Sequence, residues 1–240
     1  MTTERRLVER SDRGVLRHKS SVYGTSADGI PLTVYLPDCE RAELLILNAI
    51  HGDEAETTVV ASEALRCLPE GDLQAAVILC GNPDGLLRGT RGNARGVDLN
   101  RNFPTANWNA APVHYKSRAH DARDMALSPG SEPASEPETK ALIALLEKLN
   151  PRAVVSFHSA LACVDDSGAS HLGRQLADRC ALPFLTEIGY PTPSSMGTWA
   201  GERKLNLVTM ELEDASLYTL KDHHVPILID LMTGRFALEG

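Results

Sequence analysis

Short apolar runs punctuate the chain at residues 31–36, 44–50, 75–80, 153–157 and 205–212, and most lack the alternation expected of a sheet with one wet face. That pattern predicts central strands buried on both sides. Amphipathic segments lie between them. Residues 54–68 set Val59, Val60, Ala64 and Leu68 along one side, and residues 138–149 do the same with Leu142, Leu145, Leu146 and Leu149. Strands alternating with helices predict an α/β sheet covered by helices.

The helix over residues 138–149 has a start signal in Ser135 with Glu138 three residues on, the spacing of a capping box, and Pro137 suits a first-turn position. Asn150-Pro151 ends it. A final helix is predicted over residues 225–236, with Pro226 in its first turn and Ile227, Leu228, Leu231 and Met232 as its buried stripe. No internal repeat stands out. Residues 81–133 are rich in Gly, Asn, Pro, Asp and Arg and show little periodicity, and loops of that length are usually functional or disordered. The specific polar residues of 81–107 point to function, whereas 110–133 reads as a surface excursion.

With 240 residues, 42% of them hydrophobic, one domain spanning residues 1–240 can bury a sizeable core. A net charge of −8 and a pI near 5.5 argue against a nucleic-acid surface, and no basic run reverses that balance. The expected partner is a small substrate. The N-terminus is charged throughout without the apolar core of a secretory signal, and no stretch is long enough to span a bilayer, so the default compartment is the cytoplasm. The short length also suggests no inhibitory pro-segment. Cys39, Cys67, Cys80, Cys163 and Cys180 are odd in number and form no Cys-x-x-Cys pair, which suits buried thiols in a reducing compartment.

The chemistry begins at Asn48-Ala49-Ile50-His51-Gly52-Asp53-Glu54, where an apolar run ends and a His and a Glu stand three residues apart. The two can share one metal ion. His158, in Val154-Val155-Ser156-Phe157-His158-Ser159, offers a third donor at the end of another apolar run. Two imidazoles and a carboxylate favour zinc, because a fourth tetrahedral position stays open to a water that the cation makes far more acidic. Taken singly, His51 and His158 read as hydrogen-bonded histidines and Arg101 as a salt-bridged surface residue. Asp98 reads as a loop-stabilising carboxylate, and Gly52, Gly85 and Gly197 read as turn glycines needing permissive φ. Their order in the chain changes the picture for the histidines and for Arg101.

After His51-Gly52-Asp53-Glu54 come Asn82-Pro83-Asp84-Gly85, Arg91-Gly92-Asn93 and Gly96-Val97-Asp98-Leu99-Asn100-Arg101-Asn102-Phe103-Pro104, then Phe157-His158-Ser159 and a Glu on a late apolar strand. Over residues 44–214 this order resembles the zinc carboxypeptidases of the M14 type. Gly189-Tyr190-Pro191-Thr192-Pro193 and Met196-Gly197-Thr198-Trp199-Ala200-Gly201 look like the murein peptide amidases, a compact bacterial branch of those enzymes. The resemblance implies a single α/β domain whose mixed, mostly parallel central sheet is flanked by helices. It also implies one Zn2+ per chain and cleavage of the γ-D-glutamyl–meso-diaminopimelate bond in peptides released from the cell wall.

Carried over residue by residue, the resemblance makes His51, Glu54 and His158 the zinc ligands and Glu211 the general base. Arg91 would steady the oxyanion. Asn100 and Arg101 would hold a carboxylate on the leaving-group side, which suits a planar guanidinium beside an amide donor. Glu211 and Glu213 share one face of a strand, so alternation cannot separate them, and the Met-Glu-Leu setting of the family selects Glu211. Tyr190 and Trp199 are implied to line the substrate pocket, Trp199 being equally readable as core. His223-His224 reads as a solvated helix N-terminus, since no set of partner ligands beyond Asp222 is evident.

Two positions depart from the family pattern. Ala49 stands where a Gly commonly precedes Ile-His-Gly, and Ser194-Ser195 replaces a more usual Gly-Ser. A zinc deacylase of N-acyl amino acids, of the succinylglutamate desuccinylase and aspartoacylase kind, shares much of the same machinery and is the alternative. Residues 189–201 favour the amidase. A metal-binding but non-catalytic peptide-recognition module is the reading from another class, and the presence of both Arg91 and Glu211 opposes it.

Overall fold

The five apolar runs all become strands of one sheet in the computed structural model, which describes residues 6–38, 41–116 and 124–238. They are β2 (Pro31–Tyr35), β3 (Leu44–Asn48), β4 (Ala76–Ile78), β7 (Ala153–Ser159) and β10 (Asn206–Leu212). Joined by β1 (Ser20–Thr25), β8 (Cys163–Asp165) and β9 (Phe184–Leu185), they give the order β1-β2-β4-β3-β7-β10-β8-β9. Strands β4, β3, β7 and β10 run parallel at the centre. Antiparallel pairings of β1 with β2, β2 with β4 and β10 with β8 make the sheet mixed.

Every residue of β3 and β7 is buried, because each face of the sheet has its own helical cover. Leu44 and Ile46 enter a core with α1 (Ala55–Cys67), α4 (His171–Cys180) and α6 (Leu217–Met232). Leu45 and Leu47 point the other way, into a core with α3 (Pro137–Leu149) and α5 (Met196–Glu202). Two apolar faces remove the alternation from the sequence, which is the single α/β domain that the pattern predicts. Strand β2, near the sheet edge, keeps its alternation. The edge strand β1 carries mostly polar, exposed residues and so leaves no apolar signal.

Several local expectations are corrected. The buried stripe of α1 runs through Thr57, Val60, Ala61, Ala64 and Leu65, leaving Val59 off it. Helix α3 has Glu136 as its N-cap and no capping box: Ser135 Oγ donates to Glu136 Oε1 at 2.8 Å, while Glu138 accepts from the amide of Ala27 at 2.9 Å. The final helix begins eight residues before the expected start, at a Ser216 cap that accepts from Thr219 N, and carries Pro226 inside it. The long segment at 81–133 is not structureless. It holds α2 (Pro83–Arg88), a 3-10 turn (Leu99–Arg101) and a hairpin of β5 (Val113–Lys116) with β6 (Asp124–Leu127). Cys39, residues 1–5 and residues 117–123 lie outside the described residues, and among the described residues no helix is long and apolar enough to cross a membrane.

Helix α4 closes on Ala181 at φ +51°, with its amide bonded to Ala177 O and Asp178 O. This left-handed C-terminal position favours Gly, and Ala181 is exposed, so its methyl group gains little from packing. The Ala181→Gly protein should therefore gain about 0.5–1 kcal/mol of stability, read as a raised urea midpoint with unchanged slope.

Candidate active site

Three neighbouring parallel strands deliver the site at their carboxyl ends, where open α/β sheets characteristically bind ligands. Asn48 of β3 is paired with Phe157 of β7, and Glu211 of β10 is paired with His158 of β7. Beyond β3 the chain turns through Ala49 at φ +48°, and Ser194 likewise sits at φ +58°. Both departures from the family's glycine pattern thus fall at left-handed positions. Thr57 secures the turn, accepting from Ala49 N at 3.1 Å and donating to Glu54 O at 2.8 Å.

Gly52 needs room rather than a special φ. A Cβ there would stand 2.1 Å from the Gly85 carbonyl carbon, so the loop bearing His51 lies backbone to backbone on α2. Gly85 is similarly confined, by Asn82 Nδ2 at 2.5 Å, whereas Gly197 has only Ser195 Oγ near it at 3.6 Å. None of the three adopts positive φ, which corrects their reading as turn glycines.

His51, Glu54 and His158 converge, with relative exposures of 2%, 3% and 3% and donor atoms all within 4.8 Å of one another. Glu54 Oε1 lies 2.8 Å from His51 Nδ1, Glu54 Oε2 lies 3.0 Å from His158 Nδ1, and the two Nδ1 atoms are 3.1 Å apart. Two imidazole nitrogens so close to one another and to a carboxylate need a shared cation or a shared proton. Glu54 is the N-cap of α1 yet makes no capping bond, because its carboxylate faces the histidines. Burial would raise the Glu54 carboxyl, but the histidines outweigh it and hold the group below the ordinary range. Burial and the Arg91 charge would lower the His51 imidazolium, but Glu54 and Asp98 reverse this and its pKa rises. The pocket therefore favours positive charge, and its donor set fits a zinc-class ion.

Two partners that sequence reasoning missed orient these groups. Asp98 is fully buried, 3.3 Å from His51 Nε2 and 3.0 Å from Arg91 Nε, while also capping the 3-10 turn through Asn100 N. It is more than the loop carboxylate expected. Ser156 Oγ lies 3.1 Å from His158 Nε2. Both contacts leave Nδ1 facing the metal pocket, as outer partners of ligating histidines do. The signal for Ser156 was its place two residues before His158 on one strand face. Arg91 bridges the cluster, its Nη1 3.6 Å from Glu54 Oε1.

Glu211 is buried beside the cluster, with Leu161 N donating to Oε2 at 3.5 Å. Burial raises its carboxyl, with His158 opposing and Glu54 adding to the rise. Glu213 instead turns to His223 and His224 on α6, which separates the two glutamates that alternation could not. Asn100 Oδ1 accepts from Met196 N at 2.8 Å, leaving its Nδ2 without a bond among the described residues. Arg101 is buried, bonded to Asn100 O at 2.7 Å, and forms no ion pair with a carboxylate among the described residues. Burial accordingly lowers its pKa, with Asp98 countering. Tyr190 is half-exposed, its hydroxyl raised by burial and by the nearby Glu211 charge. Trp199 is corrected to a core residue. At 2% exposure it packs on Phe103, ring centroids 5.8 Å apart, and leaves almost no face for a substrate.

A helix-covered mixed sheet with a His-Glu-His cluster at its strand ends is the layout of a metallopeptidase of the carboxypeptidase type. Residues 21–164 match the zinc carboxypeptidase family, peptidase M14, and the chain belongs to that family. The match takes in His51, Glu54 and His158, while Glu211 lies beyond it. The chain is 44% identical over 209 residues to murein peptide amidase A of Escherichia coli K12, covering 86% of each. It is 40% identical over 228 residues to murein peptide amidase A of Vibrio campbellii, covering 94% of this chain and 92% of the other. The crystal structure of murein-tripeptide amidase from Escherichia coli O157 superposes with a TM-score of 0.89 at 39% identity, covering 95% of this chain and 97% of that one.

If Ser156 orients His158, the Ser156→Ala protein should bind Zn2+ about 10–100-fold more weakly while its metal-free melt stays close to that of the parent. Competition against a chromophoric chelator measures this. Unchanged affinity would show that Ser156 only fills space.

Proposed function

We propose that the chain, acting as one catalytic unit over residues 1–240, is a zinc-dependent amidase that hydrolyses the γ-D-glutamyl–meso-diaminopimelate bond of murein peptides. It would serve cell-wall peptide recycling in the cytoplasm. The catalytic zinc would be held by His51, Glu54 and His158. The observation that supports this reading most directly is the convergence of those three side chains next to Glu211, in a chain whose relatives carry the amidase name.

Zinc bound there supplies Lewis acidity and a water far more acidic than bulk. Glu211 takes the proton from the attacking water and returns it to the departing amine, and its raised pKa suits both halves of that transfer. Arg91, fixed by Asp98, presents its guanidinium to the oxygen that becomes negative as the carbonyl carbon turns tetrahedral. The guanidinium of Arg101, in no ion pair with a carboxylate among the described residues, and the Asn100 amide hold the carboxylate of the leaving diaminopimelate. Tyr190 stands at the rim, where the substrate enters.

The test is to incubate zinc-loaded protein with L-Ala-γ-D-Glu-meso-diaminopimelate and, separately, with N-succinyl and N-acetyl amino acids, and to quantify free amine. Turnover of the tripeptide is expected, and preference for the acyl amino acids overturns the reading. Glu211→Gln should lower kcat about 10²–10⁴-fold with the thermal melt unchanged. Arg101→Lys should act mainly through KM, since it keeps the charge and loses the fork. Tripeptide binding without turnover by the parent protein would identify a recognition module instead.

A further inference from the structure

Sequence alone places His223 and His224 at a solvated helix start, and the structure overturns that. They stand within α6, and His224 is completely buried. Adjacent residues on a helix diverge by roughly 100°, yet both rings reach one carboxylate. His223 uses its near nitrogen, Nδ1, 2.8 Å from Glu213 Oε1, and His224 its far nitrogen, Nε2, 2.6 Å from Glu213 Oε2. The difference in reach compensates for the divergence, and the ring centroids come within 4.4 Å of each other.

We infer that Glu213, His223 and His224 form a second divalent-metal site of the zinc class, two residues beyond Glu211 on the segment that leaves β10. Their donor atoms all lie within 4.8 Å of one another, the same His, His and Glu set as the first centre. His223 and Glu213 are partly exposed, so a metal there keeps a solvent-facing position and an entry path. Glu213 and His224 are in the protonation states a metal requires. Burial would raise the Glu213 carboxyl, but hydrogen bonds from His223 and His224 bring it to about 2, so the group is ionised. Burial favours neutral His224, and the nearby Glu213 only partly opposes this. In the metal-free protein the His224 proton rests on Nε2 toward Glu213, and Nδ1 is buried without a hydrogen bond among the described residues. A cation bound at Nε2 displaces that proton to Nδ1 of the same ring, so His224 stays a neutral ligand. Cys180 is near enough for the Glu213 charge to act on it, but its thiol, pushed up to about 12 chiefly by burial, stays protonated and is not counted as a ligand.

The consequence is a cross-link between the end of β10 and the middle of α6, next to the strand position that carries Glu211. This inference stands on the geometry of three side chains and does not depend on the amidase reading. The experiment is metal analysis after dialysis against buffered Zn2+, with thermal melts of metal-free and zinc-loaded protein. The parent should hold two equivalents, and His223→Ala and His158→Ala should each hold one. The double variant should hold none. Glu213→Gln should match His223→Ala, which covers the case in which one of these replacements fails to fold. Metal-free His223→Ala should melt with the metal-free parent, while the zinc-induced rise in its Tm should be smaller. One equivalent in the parent that His158→Ala loses, or two in folded His223→Ala and Glu213→Gln, overturns the site.

Discussion

A carboxylate buried as deeply as Glu54 is tolerated only where positive charge surrounds it. Here Arg91 brings its charge from the loop after α2, and the imidazoles of His51, beyond the end of β3, and His158, on β7, close on the same carboxylate. Asp98 then answers the excess on Arg91 and His51 from the other side. These contacts tie the loop from residue 81 to 107 and the strand ends into one electrostatic cluster. The double helical cover contributes by excluding water, which strengthens every interaction inside.

How much of this the sequence disclosed depends on which force left a trace in it. Burial on both faces wrote the five central strands as unbroken apolar runs, and their limits were legible to within two residues. Ser20–Thr25 was invisible because an exposed edge strand needs backbone partners and no apolar residues. The final helix was misplaced at its start because Pro226, a common first-turn residue, drew attention from the Ser216 cap ten residues earlier. The hairpin of β5 and β6 is held by backbone pairing and by Ser128, which bonds to Gly96 and Asp98, and composition does not report such bonds.

Local rules fail where a side chain serves a distant partner. Glu54 occupies an N-cap without capping, and Glu138 sits at capping-box spacing while serving Ala27 and Asn93. The residues that motif order singled out, His51, Glu54, His158 and Glu211, do come together. Those whose importance is only relational, Asp98 and Ser156, did not stand out, because a residue that aims another has no signature of its own. Trp199 erred the other way: an aromatic inside a specificity-like segment turned out to be needed for packing against Phe103.

Asn102 shows how the segment beside the cluster is kept in place. Its buried amide group donates to Pro129 O and Ser135 Oγ and accepts from Glu136 N, clamping the segment to the start of α3. Next to it, Phe103 N bonds to Ser194 O and Asn100 Oδ1 to Met196 N, so residues 100–103 and 194–196 are laced to each other as well. The segments carrying Asn100 and Ser194 therefore share a single lever arm. Any remodelling of residues 190–195 is transmitted to the Asn100 amide, so the two segments shift in concert rather than separately.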